Sequence, residues 1–214
     1  MQFDMRNLPM PVNYKIVNST ITPRPIAWTT TLSAGGVLNV APYSFFNCVG
    51  VEPPLVTLGL LKDEACALKD TATNIIATGE FVVNLVSETD AAAMNETSVS
   101  APPEVNEAIY AGVETVPSVL VKPPRIATSP VSFECRKVAA LDIGVRQTIV
   151  IGEILMAHIK DEFITDPKKL YLDTPAMKLI GRTHGAGWYV RNSDQFQMNR
   201  TPYDSEKAKA LGAI

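Results

Sequence analysis

The strongest constraint on the fold is a hairpin written into residues 26–40. Ile26, Trp28, Thr30 and Leu32 fall on one face of an extended segment, and Ala27, Thr29 and Thr31 on the other. Ser33-Ala34-Gly35-Gly36 then supplies a tight turn, because glycine reaches positive φ without steric cost. A short return strand, Val37 to Val40, completes an antiparallel pair.

Further strands follow the same logic. Pro53-Pro54 ends a loop, and Leu55 to Leu61 is a continuous apolar run, as expected for a strand covered on both sides. Glu80 to Val86 reads as a strand. Val131 to Ala140 alternates, with Val131, Phe133 and Cys135 inward and Ser132, Glu134 and Arg136 outward. Val145 to Ile159 is a long strand with a bend near Gly152, and Trp188 to Arg191 is a short last one.

The helical signals are fewer. Lys69 to Gly79 predicts a short helix, capped by Asp70 or Thr71 and stopped by Gly79. Ser87 to Asn95 and Glu104 to Ala111 predict two more, the second closed by Gly112. Asp166-Pro167 predicts a helix over Lys168 to Leu172. A terminal helix is expected over about residues 203–211. The proline-rich start reads as extended chain, an N-terminal extension of about residues 1–20, and 121–126 as an extended connector. The sum is mainly β: one domain over residues 1–214, a small closed barrel of six or seven antiparallel strands with inserted and C-terminal helices.

Composition narrows the function. Apolar residues at 46% and charged residues at 19% exclude a disordered tail or a coiled coil. A formal charge of −3, from 19 basic and 22 acidic residues, argues against nucleic acid as a partner. No apolar run has the length of a membrane span, and the start lacks the apolar centre of a signal peptide. Cys48, Cys66 and Cys135, odd in number and without C-x-x-C spacing, read as reduced thiols of a cytoplasmic protein.

Most self-contained chemistries are missing. The chain has no G-x-G-x-x-G after a strand, no phosphate-binding P-loop, no H-E-x-x-H and no G-x-S-x-G. Its two histidines, His158 and His184, stand far apart, so no metal site and no catalytic residue is assigned. His158, within a strand, reads as a satisfied core or interface histidine. An enzyme built this way borrows its hard chemistry from a cofactor.

Three segments carry the candidates. Thr29, Thr30 and Thr31 with Asn39, Ser44 and Asn47 place hydroxyls and amides beside aromatic surface, as a flat heteroaromatic ring with polar edges requires. The plain alternative is that the threonines are ordinary strand formers and the asparagines turn residues. The Lys69-Asp70-Thr71 helix start offers free N–H groups, a dipole end, a lysine and a hydroxyl to a phosphate, with Asp70 opposing. The alternative is a plain capped helix. Arg182 to Tyr189, with glycines beside Arg182, His184, Trp188 and Tyr189, is either a mobile rim over a pocket or a surface turn.

These residues carry a resemblance. The stretch from Thr22 to Thr31, then Asn39 to Asn47, then Glu52-Pro53-Pro54, resembles the flavin reductase-like, FMN-binding split-barrel family to which flavoredoxin belongs. Lys69-Asp70-Thr71 with Asn74, and residues 121–126, are similar to further family signatures in the same order, over about Tyr14 to Arg191. The resemblance implies a six-stranded antiparallel split barrel holding FMN noncovalently near a homodimer interface. It implies that Trp28, Thr29, Thr30 and Thr31, with Asn39, Ala41, Pro42, Ser44, Phe46 and Asn47, edge the isoalloxazine ring. Lys69, Asp70, Thr71 and Asn74 would meet the phosphate and ribityl chain, with Arg182 and Tyr189 from the C-terminal region. The function it implies is an oxidoreductase: a flavin reductase using NADH or NADPH as cosubstrate and serving a monooxygenase or other acceptor protein. Two alternatives stay open: a flavoredoxin-like electron carrier without nicotinamide turnover, and a split-barrel protein for another ligand such as pyridoxal phosphate.

Overall fold

In the computed structural model, which describes residues 1–213, one antiparallel sheet of seven strands organises the chain. The strands are β1 (Ala27–Leu32), β2 (Leu38–Tyr43), β3 (Phe46–Val51), β4 (Pro54–Leu61), β5 (Glu80–Leu85), β6 (Val131–Ile143) and β7 (Gln147–Ile159). Helices are α1 (Met10–Thr20), α2 (Asp70–Thr78), α3 (Ala91–Glu96), α4 (Glu107–Tyr110) and α5 (Ser205–Ala210). None is long and apolar enough to cross a membrane.

The hydrogen-bonded order is β2-β1-β5-β6-β7-β4-β3. Its two edge strands, β2 and β3, are consecutive in sequence, with only Ser44 and Phe45 between them. A sheet whose edges are tied this closely cannot stay flat; it rolls until the edges meet. Where the link enters β3, the Gly59 N–H of β4 donates to the Phe45 carbonyl at 2.7 Å and extends the β3–β4 ladder by one position. A Cβ on Gly59 would lie 2.9 Å from that of Phe45, so glycine alone lets the chain pass so close. The result is a split barrel.

Two apolar layers hold it. Inside, Ala27 of β1, Val56 and Leu58 of β4, Phe81 and Val83 of β5, Cys135 of β6 and Val150 of β7 share one cluster with Ala72 and Ile75 of α2. Strands far apart in the sheet order meet there, as closure demands. Outside, Ile26, Trp28 and Val40 pack with Met94 of α3, Ala108 of α4, Ile126 and Ile180. The alternation along β1 is therefore real, but both of its faces are buried. A separate three-stranded sheet joins Arg24–Pro25, Ile180–Arg182 and Tyr189–Arg191.

Several expectations need correction. The main sheet has seven strands, within the six or seven read from the pattern and one more than the resemblance implied, and Asn39 to Asn47 runs through most of β2, a two-residue link and the start of β3. The proline-rich start is not all extended: Pro9 is the N-cap of α1, and a proline fits the first turn, where N–H groups have no partner in any case. Residues 168–172 do not form a helix. Asp166 accepts from the Lys168 and Lys169 N–H groups, and the chain then pairs Tyr171–Leu172 with Ile164–Asp166. Ser132 and Glu134 do not face water; both are buried, Ser132 against Asn84 and Glu134 under residues 119–121. The bend near Gly152 is present as a register shift between Ile151 and Gly152.

Candidate functional site

The site grows from the start of α2. Ala72 and Ile75 anchor this helix in the barrel core, and Gly79, at φ 77°, turns the chain out of it. Lys69, in extended conformation, is the N-cap, and no side chain caps the first turn. Neither Asp70 nor Thr71 performs the expected capping. Asp70 lies within the first turn, and the Thr71 hydroxyl accepts from Asn39 Nδ2 at 2.7 Å and from the Tyr43 hydroxyl at 2.8 Å. The N–H groups of that turn are left for solvent or a ligand.

A polar network fixes this corner. Asn74 Nδ2 and Asn39 Nδ2 both donate to the Thr31 hydroxyl, at 3.1 and 3.3 Å. Burial pushes the Tyr43 phenol up to about 12, against the bond to Thr71, so it remains a neutral donor through the physiological range.

A cavity of about 320 Å³ opens over the network. Asn39, Ala41, Pro42 and Tyr43 of β2 and Lys69, Asp70 and Thr71 line it from one side. Residues 97–101 and Glu107 close the other. A second cavity of about 280 Å³ shares Pro42, Tyr43 and Ser98 with the first and extends it past Ser44 to Arg182 and Tyr189. The Arg182 guanidinium lies 4.8 Å from the centre of the Tyr189 ring and donates to the Gly185 carbonyl at 3.1 Å. His184 stacks on Trp188 in the adjoining turn.

The structure therefore gathers Asn39, Ala41, Pro42, Ser44, Lys69, Asp70, Thr71, Arg182 and Tyr189 around two adjoining cavities. It does not bring the remaining candidates to the lining. Thr31 and Asn74 stand behind Asn39 and Thr71 as supports. Trp28, Thr29 and Thr30 are at most 1% exposed. Trp28 Nε1 donates to Thr97 at 2.8 Å, Thr30 to the Pro124 carbonyl at 2.5 Å, and Thr29 to the Ala27 carbonyl. Phe46 packs against the barrel core, and the exposed Asn47 accepts from the Cys48 N–H.

The sequence reading did not pick out Tyr43, Asp63, Leu68, residues 97–101 or Glu107 as lining the first cavity. Glu107 is 5% exposed, and its Oε2 accepts from the Val40 N–H at 3.1 Å. That N–H belongs to edge strand β2 and points away from β1, so the carboxyl blunts an open edge. Burial pushes the Glu107 carboxyl up, and the nearby Asp70 adds to this against the hydrogen bonds it accepts. In the sequence it is one acid in the first turn of a short helix, as dipole compensation alone would place it. Among the described residues no cluster of histidine, cysteine and carboxylate side chains could hold a metal ion.

Comparison with known proteins agrees with this architecture. Residues 19–177 match the model of the flavin reductase like domain. The structure of nitrilotriacetate monooxygenase component B from Bacillus cereus is 30% identical with a TM-score of 0.87, covering 92% of this chain and 98% of that one. The 2-nitrobenzoate 2-nitroreductase of Pseudomonas fluorescens is also 30% identical, with a TM-score of 0.85 over 95% and 98%. Flavoredoxin of Desulfovibrio vulgaris (Miyazaki F), at 16% identity, shares the fold, with a TM-score of 0.71 over 82% and 90%. On its own sequence and on this fold, the chain belongs to the flavin reductase-like family.

Proposed function

We propose that the protein binds FMN noncovalently across the two adjoining cavities and works as a flavin reductase oxidising NADH or NADPH. The observation that carries this reading is the uncapped start of α2, where Lys69 and the Thr71 corner open into a cavity walled by Asn39 to Tyr43. Backbone N–H groups, a lysine and a dipole end suit a phosphate. The apolar and amide wall of β2 suits a ring with polar edges.

What such a cofactor supplies is an acceptor for hydride and a store from which two electrons pass onward. The protein's part is placement. Asn39 and Tyr43 are held by Thr71, and Thr71 by α2, so the wall is set before a ligand arrives. Arg182 and Tyr189 would border the ring and its nicotinamide partner. A second copy of the chain set against the exposed Leu141 and Ile143 of β6 would complete a homodimer. By analogy with the Bacillus cereus component B, the electrons would serve a monooxygenase or another acceptor protein. Three free thiols suit a cytoplasmic setting.

The deciding experiment is the visible spectrum of the purified protein, anaerobically, before and after NADH or NADPH. Flavin bands that bleach support the reductase. Bands that persist with both nicotinamides favour a flavoredoxin-like carrier. Absence of bands, with no uptake of added FMN, overturns both.

A further inference from the structure

The second cavity borders on positive charge that no acid balances. In the three-stranded sheet Arg24 pairs with Arg182, and Arg182 with Tyr189, so the three side chains stand in one row on one face. Like charges directly opposite each other destabilise a strand pair. Neither Arg24 nor Arg182 takes part in an ion pair among the described residues. Arg191, at the end of the same sheet, does: it is paired with Glu88.

Arg24 is buried. Its guanidinium donates to the carbonyls of Asn18, Ile21 and Thr183 at 2.8, 2.7 and 3.1 Å, and its Nε to Ser44 Oγ at 3.3 Å. Carbonyls solvate a cation but leave its charge in place. Burial pulls this guanidinium below its usual range, and the Arg182 charge adds to the effect. Ser44 Oγ accepts from Arg24, and nothing among the described residues accepts its own proton. Ser44 and Arg182 both line the second cavity, and no carboxylate joins them there among the described residues. A guanidinium has more N–H groups than the two that Arg182 directs to the Trp188 and Gly185 carbonyls. Ile26, Pro42 and Met94 give the same cavity an apolar wall. Its volume of about 280 Å³ falls just short of the roughly 300 Å³ at which drug-sized sites begin, so it suits one ring rather than a dinucleotide.

We propose that the second cavity binds a small carboxylic acid bearing a planar ring, with its carboxylate between Arg182 and the Ser44 hydroxyl and its ring against Ile26, Pro42 and Met94. A carboxylate matches the fork of a guanidinium, and the apolar wall favours a ring over a bare anion. Tyr189, whose ring centre is 4.8 Å from the Arg182 guanidinium, holds that fork in place. Arg24 acts from behind: it occupies Ser44 as an acceptor, so the Ser44 O–H is left to donate, and its charge adds to the field at the carboxylate. The site goes beyond the flavin reading, which is carried by the start of α2 and not by these arginines. In the flavin-loaded protein the acid would lie beside the ring, where a nicotinamide would also have to bind.

The test uses the full chain, with and without FMN, and two probes of one shape and different charge, benzoate and benzamide. Calorimetric titration of wild type at neutral pH should show benzoate binding about tenfold more tightly than benzamide, with the difference shrinking as salt is raised. Arg182→Gln should weaken benzoate by about tenfold and abolish the preference over benzamide. Ser44→Ala should weaken benzoate by about threefold through the lost donor. Equal affinity for benzoate and benzamide, or benzoate affinity unchanged in Arg182→Gln, overturns the inference and leaves the flavin site standing. Inorganic phosphate binding as tightly as benzoate overturns the carboxylate assignment. Benzoate that binds only the FMN-free protein, and that FMN displaces, gives the arginines to the cofactor and overturns it too. If wild type takes up no FMN yet still prefers benzoate, the flavin reading fails and this site stands. Should Arg182→Gln not fold, the comparison of benzoate and benzamide on wild type decides alone.

Discussion

Glu134 shows how far one side chain can reach. It is fully buried, and it accepts from the N–H groups of Val119, Leu120 and Val121 at 2.7, 2.6 and 3.1 Å and pairs with His158 Nε2 at 2.6 Å. Burial alone would push its carboxyl up, but those donors prevail and hold it below the usual carboxylate range. A carboxyl depressed on folding stabilises the native state above its unfolded pKa and loses that contribution as pH falls through its folded pKa. Glu134→Ala should therefore cost about 3–5 kcal/mol at neutral pH, measured by denaturant unfolding, because three N–H groups lose their acceptor. The difference between wild type and variant should shrink in acid. At the cavity, Lys69→Glu should weaken FMN binding by about tenfold at low salt, and the loss should diminish as salt screens it. Unchanged affinity would remove Lys69 from the phosphate assignment. Lys69 and Thr71 were legible in the sequence because a helix start is local chemistry. Glu107 and Glu134 were not. Their burial comes from segments 67 and 15 residues or so away in sequence, and an acid in a strand or a first helical turn looks the same whether water or a loop covers it.

Among elements, the hairpin of β1 and β2 was readable for the same reason: alternation and a glycine turn act over a few residues. Its boundary was not. β2 runs on to Tyr43, and Pro42 is tolerated there because an edge strand leaves one side without a ladder partner. Helix α1 was hidden by Pro9 and Pro11, which suggest extended chain until one notes that they stand at its entrance. The strand β4 depends on one position that no propensity scale marks. At Gly59 a methyl group would meet Gln147 Nε2 at 2.8 Å as well as Phe45, so Gly59→Ala should destabilise by about 1–3 kcal/mol through overpacking. Thermal unfolding checks this; a neutral effect would mean that the packing around Gly59 has slack.

For the whole molecule, the barrel leaves apolar surface outside. Leu61 and Ile143 pair with Gln147 and Leu141 pairs with Ile149, so the three share one face, and they are 37%, 53% and 48% exposed. Val145 follows at 71%. A contiguous apolar face of this kind marks an interaction surface. In the homodimer proposed above it would be covered, and Leu141→Arg should shift the protein from dimer to monomer in sedimentation without unfolding it. A wild-type monomer would locate the interface elsewhere or remove it.

The link between β2 and β3 has a kinetic meaning. Pro42, Tyr43 and Ser44 wall the cavities, while the next residue, Phe45, carries the carbonyl that Gly59 holds. The end of the β3–β4 ladder and the lip of the binding site are one stretch of chain. Fraying of that ladder end would loosen the lip, and a bound ligand would brace it. Amide exchange at Gly59 should accordingly slow when FMN binds, while exchange at amides of β6 and β7 stays as it was. The cofactor would then act as the pin of a hinge that the sequence left unlocked.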